Sequence, residues 1–192
     1  MILPLPKNTR LWLLPLWLVA ATPATSEEGD LPALEIDREA SRIAADVKAT
    51  GHRFEAVVTD YEIELQWDTE NQAISSARLE FDFADVKTGR SRRDREMLEW
   101  VDHESFPKAG FVLSEIKTTE DGRLARGKLS LHGVDQDMEF PVSIEEGGEH
   151  VRIRARTTMD HRDWDLEEIR AMLFMTVDPV LTIEIDLVAA LP

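Results

Sequence analysis

The chain has 192 residues, no cysteine, and 38 acidic against 22 basic side chains for a net charge of −16, which excludes disulfide scaffolds, thiol catalysis and a lipidated N-terminal cysteine. No basic cluster is large enough to neutralise a run of phosphates, so nucleic acid is not an expected partner. The excess negative charge also opposes lasting residence on anionic lipid, leaving transient membrane contact as the expectation.

Lys7 and Arg10 precede an apolar run from Leu11 to Ala21 that ends in small residues near Ala24 and Ser26, the layout of a secretory signal. The run is about half the ~20 residues that cross a bilayer, and Pro15 interrupts it, so a retained anchor is disfavoured. The expected organisation is a signal peptide at 1–26, a flexible lead-in at 27–33 and one domain at 34–190, exported to the periplasm or beyond. Past Ser26 there remain 166 residues with 20 basic and 38 acidic side chains, a charge of −18. That length suits one core.

Alternation dominates the domain. Ile43, Ala45, Val47 and Ala49 share one strand face against Arg42, Asp46 and Lys48. From Arg53 a long run carries Phe54, Ala56 and Val58, shifts phase near Thr59 and Asp60, and resumes with Tyr61, Ile63, Leu65 and Trp67, which predicts a bulge or bend. Ala77, Leu79, Phe81 and Phe83 alternate with Arg78, Glu80 and Asp82.

After Thr88 and Gly89 the period changes. Ser91 and Asp94 are spaced as a capping box, and Met97, Trp100 and Val101 fall at helical spacing, which predicts one short helix. Strands are then expected at 109–117, 123–131, 137–144, 151–159 and 180–188. With the 53–67 run counted as one bent strand, this is an all-β, antiparallel, eight-stranded barrel with one helical insertion. Such an interior can be filled by its own side chains or can hold one slender ligand. The 160–179 segment, with Leu166, Ile169, Met172, Leu173, Phe174 and Met175, reads equally as a flap over a cavity mouth or as extra core.

Tyr61, Ile63, Leu65, Leu79, Phe81, Phe83, Phe111 and Leu113 either line an apolar tunnel or meet at its centre, and most apolar stripes are core. Met172 and Phe174 are further candidates for the lining. Arg92 and Arg93 are candidates for an anionic headgroup, although a helix start with ion pairs to nearby carboxylates explains them as well. Arg152, Arg154 and Arg156 form a stripe best read as a solvated, ion-paired exterior. The five histidines offer no spacing that presets a metal site, and Asp102, His103 and Glu104 are neighbours that point apart. Ser130 and His132 stand too far apart for a nucleophile and base, and no Gly-x-Ser-x-Gly elbow exists. No metal and no catalytic residue is expected.

Four pieces of the chain taken together resemble the YceI family of polyisoprenoid-binding, lipocalin-like proteins. They are Thr88-Gly89 before Arg93-Asp94; Phe106-Pro107 before Phe111; Gly127-Lys128-Leu129; and Leu131-His132-Gly133-Val134. The resemblance spans 34–189. It implies an exported, lipocalin-like barrel that needs no cofactor and carries a polyisoprenoid lipid, an isoprenoid quinone or a prenyl phosphate, in an elongated apolar cavity. It thereby shifts the inward stripes from filling to lining. The family's Asp, Arg, then Asp, Phe, Gly pattern is here Asp160, His161, Arg162, Asp163, Trp164, Asp165, a bulkier, more acidic corner expected to narrow or close one cavity end.

Two other functions stay open at this level. One is a barrel enzyme for a small apolar or prenylated substrate using His132, His161 or a buried carboxylate. The other is a solid-core module that binds a partner, with a membrane redox protein and a homodimer as the partners considered.

Overall fold

Period-two alternation presents one face of each strand to a common interior, and strand twist curls the sheet around it. The structure, a computed structural model, describes residues 31–168, 170–171 and 175–192. In chain order the strands are β1 (Glu35–Ile36), β2 (Arg42–Ala49), β3 (His52–Val58), β4 (Glu62–Asp68), β5 (Ala73–Asp82), β6 (Val86–Lys87), β7 (Lys108–Thr119), β8 (Gly122–Leu131), β9 (Val134–Gly147), β10 (His150–Asp160), β11 (Arg170–Ala171), β12 (Met175–Thr176) and β13 (Val180–Ala190). The single α-helix among the described residues, α1, spans Ser91–Trp100.

One strongly curled, lipocalin-like sheet runs β4-β5-β7-β8-β9-β10-β13-β2-β3-β6, with β1 added on β13, and all its pairings are antiparallel. β11 and β12 form a separate two-stranded ribbon. The sheet therefore has eleven strands rather than eight. Two of the additions, β1 and β6, are two-residue strands too short to leave a periodic signal.

The third addition comes from the 53–67 run, which is two strands, not one strand with a bulge. At Thr59 the chain leaves β3: the Thr59 backbone N–H and hydroxyl both donate to the Asp85 carbonyl, at 2.9 and 2.7 Å. It then crosses to β4 at the opposite end of the strand order. The barrel is closed there by a covalent corner rather than a hydrogen-bonded ladder.

The lower opening is crossed by the first of the described residues. Trp67 N–H donates to the Pro32 carbonyl at 3.0 Å, Leu34 N–H donates to the Leu65 carbonyl at 2.8 Å, and Ile36 pairs with Ala189 on β13. This segment thus spans from β4 to β13.

The helix lies where its spacing predicts, but its start is built differently. Arg90 is the N-cap, and no side chain caps it. Asp94 Oδ1 instead accepts from the Thr88 N–H at 2.9 Å and the Thr88 hydroxyl at 2.6 Å, so the acid that completes the expected capping box anchors the preceding turn. Burial is the largest single influence on the Asp94 carboxyl and raises its pKa, but these bonds, with the nearby charges of Lys87 and Arg93, hold it below the usual carboxylate range. Val101, just past the helix, is wholly buried, while Met97 and Trp100 pack against the core from the edge.

The remaining resemblance motifs interlock by packing. His132 and Gly133 both have positive φ, 51° and 73°, as a two-residue β8–β9 hairpin turn demands. The Phe106 ring lies on this turn, 4.5 Å from the His132 ring, where a Cβ on Gly133 would approach it to 2.7 Å. Gly127 leaves room for Phe111, since a Cβ there would overlap that ring and stand 2.5 Å from the Val112 carbonyl. The outer face carries the expected ion pairs: Arg152 with Asp186, Arg154 with Glu145 and Arg156 with Glu184.

Candidate functional site

Along β13, β10 and β9 the inward side chains divide into two sets, and the division falls at matching register on the three strands. On β13, Leu181, Ile183 and Ile185 border a cavity, while Leu187 and Ala189 are packed below it. On β10 the corresponding sets are Thr157 and Met159 above, Val151 and Ile153 below. On β9, Met138 and Phe140 face the cavity, whereas Val142 belongs to the packed core. The Phe111 and Phe140 rings, 5.5 Å apart, lie at the lower limit of the hollow.

The cavity measures about 450 Å³ and occupies the half of the barrel nearest α1. Its wall is mostly aliphatic and aromatic. Ile43, Val47, Ala56 and Val58 from β2 and β3 form one side, and Met97, Trp100 and Val101 form a roof.

Polar groups gather at one rim, where His52, Thr88, Arg90, Arg93 and Glu96 border the cavity. The Arg93 guanidinium lies 3.7 Å above the Phe54 ring. Desolvation, with the nearby Arg90 charge, lowers the Arg93 pKa from its usual value, though an arginine remains charged. Among the described residues Arg93 makes this cation–π contact and no ion pair. Close by, the 176–178 segment is tied to the end of β2: Thr50 N–H donates to the Thr176 carbonyl at 3.0 Å and Asp178 N–H to the Lys48 carbonyl at 2.8 Å.

Among the described residues one polar side chain is fully buried in the wall. His161, at the top of β10, has no exposed surface, packs edge-on against Trp100 at 5.0 Å, and has Nδ1 3.2 Å from the Leu166 carbonyl. Burial pushes its pKa down. Beside it, Asp160 is hydrogen-bonded to Arg162, which holds the carboxyl down to about 2.

Of the residues singled out from sequence, Leu79, Phe81, Phe83 and Phe111 border the cavity, and Arg93 stands at its rim. Tyr61, Ile63, Leu65 and Leu113 do not. Tyr61 lies in the corner before β4, its ring under the Arg38 guanidinium at 4.7 Å; Ile63 and Leu65, on the end strand β4, pack into the core beside the crossing N-terminal segment; and Leu113 falls one inward position below Phe111. Arg92 turns away and pairs with Glu96 at 2.8 Å. Met172 and Phe174 lie outside the described residues, as does the expected signal peptide.

The Asp160–Asp165 corner does not close the hollow. Trp164 is buried off the cavity wall, donating from Nε1 to the Leu129 carbonyl at 3.1 Å, and Asp165 adopts the left-handed conformation, φ 57°, that glycine would favour. His103 and His132 are occupied elsewhere, by Asp82 at 2.7 Å and by the Trp164 carbonyl at 3.1 Å. Sequence reasoning missed the β2 and β13 faces as the opposite wall, although their alternation was plain. Of the two histidines named for the enzyme alternative, His161 borders the cavity and His132 does not.

The YceI-like domain profile matches residues 34–189. No curated protein sequence matches the chain. Among solved structures, Burkholderia cenocepacia BcnA aligns at 20% identity over 81% of this chain and 100% of its own, with a TM-score of 0.72. A polyisoprenoid binding domain from Saccharophagus degradans, implicated in plant cell wall breakdown, aligns at 14% identity over 83% and 99%, TM-score 0.62. The Campylobacter jejuni YCEI protein aligns at 14% identity over 70% and 83%, TM-score 0.59.

Proposed function

The chain belongs to the YceI-like domain family, and from that premise we propose that it is an exported, non-catalytic protein that binds and carries a polyisoprenoid lipid in the upper half of its barrel. The observation that carries this reading is the apolar cavity of about 450 Å³, within the ~300–1,000 Å³ typical of small-ligand sites, with two arginines at a single rim. The polyisoprenoid binding described for the Saccharophagus degradans domain supports the same ligand class.

Burying hydrocarbon from water gains about 0.8 kcal/mol per methylene. The donor of such a lipid is a membrane, however, and transfer between two apolar media leaves the balance to packing, chain ordering and headgroup contacts. Reversible exchange with a bilayer follows. An isoprenoid quinone or a prenyl phosphate would place its tail among Phe81, Phe111 and Ile183, and a phosphate would meet Arg93 and Arg90. The packed lower half stops the tail at Phe111 and Phe140, so a long prenyl chain is sheathed over part of its length.

Native mass spectrometry of the purified protein, and of organic extracts from it, tests the reading. Expected is a co-purifying prenyl lipid, or uptake of a prenyl quinone or prenyl phosphate from vesicles by the delipidated protein. Failure of both overturns it. N-terminal sequencing of the protein from the periplasmic fraction tests the export signal separately.

A further inference from the structure

The hollow has one polar end and one closed end, and strand register sets them apart. Ile43 pairs with Ile185 at the closed end, while Ala49, six residues further along β2, pairs with His52 at the rim. The closed end is the tilted pair of rings of Phe111 and Phe140, 5.5 Å apart. This floor is braced from behind. The Phe111 ring occupies the room left by Gly127, and the next inward residues, Ala125, Val142, Ile153 and Leu187, are buried without bordering the hollow.

Two measures of the space agree. A methylene takes about the ~30 Å³ that a water molecule takes in the liquid, so a hollow of about 450 Å³ holds about fifteen carbons, or three five-carbon isoprene units. Leu181, Ile183 and Ile185 on β13, like Leu79, Phe81 and Phe83 on β5, span about 14 Å of wall. An isoprene unit adds four chain bonds of about 1.2 Å each when extended, so three units also come to about 14 Å.

We propose that the hollow is a length gauge: its cargo is a short prenyl chain of about three isoprene units, and Phe111 and Phe140 fix that length. The inference rests on the polyisoprenoid reading above and narrows its substrate class. With the tail stopped at the floor, the carbons of a fourth unit stay outside the protein. In water they add no burial, and on transfer from a bilayer they exchange lipid for water, which counts against binding.

The test uses delipidated full-length protein and two series of probes that differ only in chain length. In water, by calorimetry below micelle-forming concentrations, affinity is expected to climb at least about tenfold from geranyl to farnesyl phosphate and then to stay within about threefold at geranylgeranyl phosphate. From phosphatidylcholine vesicles, farnesol is expected to be taken up at least about tenfold better than hexaprenol. Phe111→Ala and Phe140→Ala each remove six ring carbons, about the room of one unit, and should let the climb continue to geranylgeranyl phosphate.

A second tenfold climb at geranylgeranyl phosphate in the wild type, or hexaprenol taken up as well as farnesol, overturns the inference and leaves the carrier reading intact. A plateau unmoved in both variants, with thermal melts showing them folded, overturns the role given to the two rings. Absence of uptake in both series removes the carrier reading and the inference together. The wild-type series stands without either variant, so a substitution that impairs folding does not obscure the result.

Discussion

The upper and lower halves of the barrel are built on the same strands with the same alternation, yet one is hollow and the other solid. Below Phe111 and Phe140, large side chains such as Trp67, Ile74 and Leu187 meet, and Leu34 is brought onto them by the crossing N-terminal segment. Above, the inward positions include Ala56, Ala109 and Thr157, and the covering elements, α1 and the 176–178 segment, sit at the edge. An apolar inward stripe therefore does not by itself distinguish core from cavity wall. What crosses the interior does.

The largest expected effect breaks the solid half. Trp67→Ala should cost about 3–5 kcal/mol in urea denaturation, because a fully packed aromatic leaves a void, whereas Phe81→Ala, at a wall already facing space, should cost under about 2 kcal/mol. Equal costs would erase the distinction between the halves.

Ala125 and Ala109, equally buried on adjacent strands, sharpen it in the opposite direction. Ala125→Phe overpacks the solid half and should cost about 1–3 kcal/mol. Ala109→Phe projects into the hollow, so it should cost less than about 1 kcal/mol but weaken prenyl-lipid binding about tenfold or more, measured by calorimetry beside thermal melts.

At the rim, Arg93→Gln should weaken binding of a prenyl phosphate about five- to tenfold, with the loss shrinking as salt rises, while Arg92→Gln leaves it unchanged. Parallel losses in both variants would point to a general effect of charge rather than to the cavity mouth.

The smallest effect concerns the corner beside His161. Arg162 holds the Asp160 carboxyl at about 2, below the roughly 3.9 of an unfolded chain. The resulting stability is complete above the unfolded value and is lost as pH falls from about 4 through about 2. Asp160→Asn should flatten the thermal-melt profile slightly over that window and leave it parallel to wild type near neutrality.

Much of the fold was legible because period-two alternation and a change to helical spacing are local properties. The strand faces, the position of α1, the Leu-His-Gly-Val turn and the outer arginine stripe all followed from neighbours in the chain. The corner at Thr59 did not, because its phase shift is the same for a bulge as for a crossing between sheet ends. Asp94 misled for a related reason: spacing placed an acid near Ser91 but not the Thr88 groups that compete for it.

Within the site, Leu79, Phe81 and Phe111 were legible as inward-facing and apolar. Tyr61, Ile63, Leu65 and Leu113 carry the same signal and lie outside the hollow.

By itself the sequence determined which side of every long strand faces inward, where the helix interrupts, and the family to which that pattern belongs, since each depends on side-chain order along a few residues. Only the tertiary structure decided that the interior is open above Phe111 and shut below it, and that one histidine, His161, is fully buried among the described residues. Those outcomes arise where distant segments converge, Pro32 on Trp67, Ile36 on Ala189 and Trp100 on His161, and no local period records the space left between them.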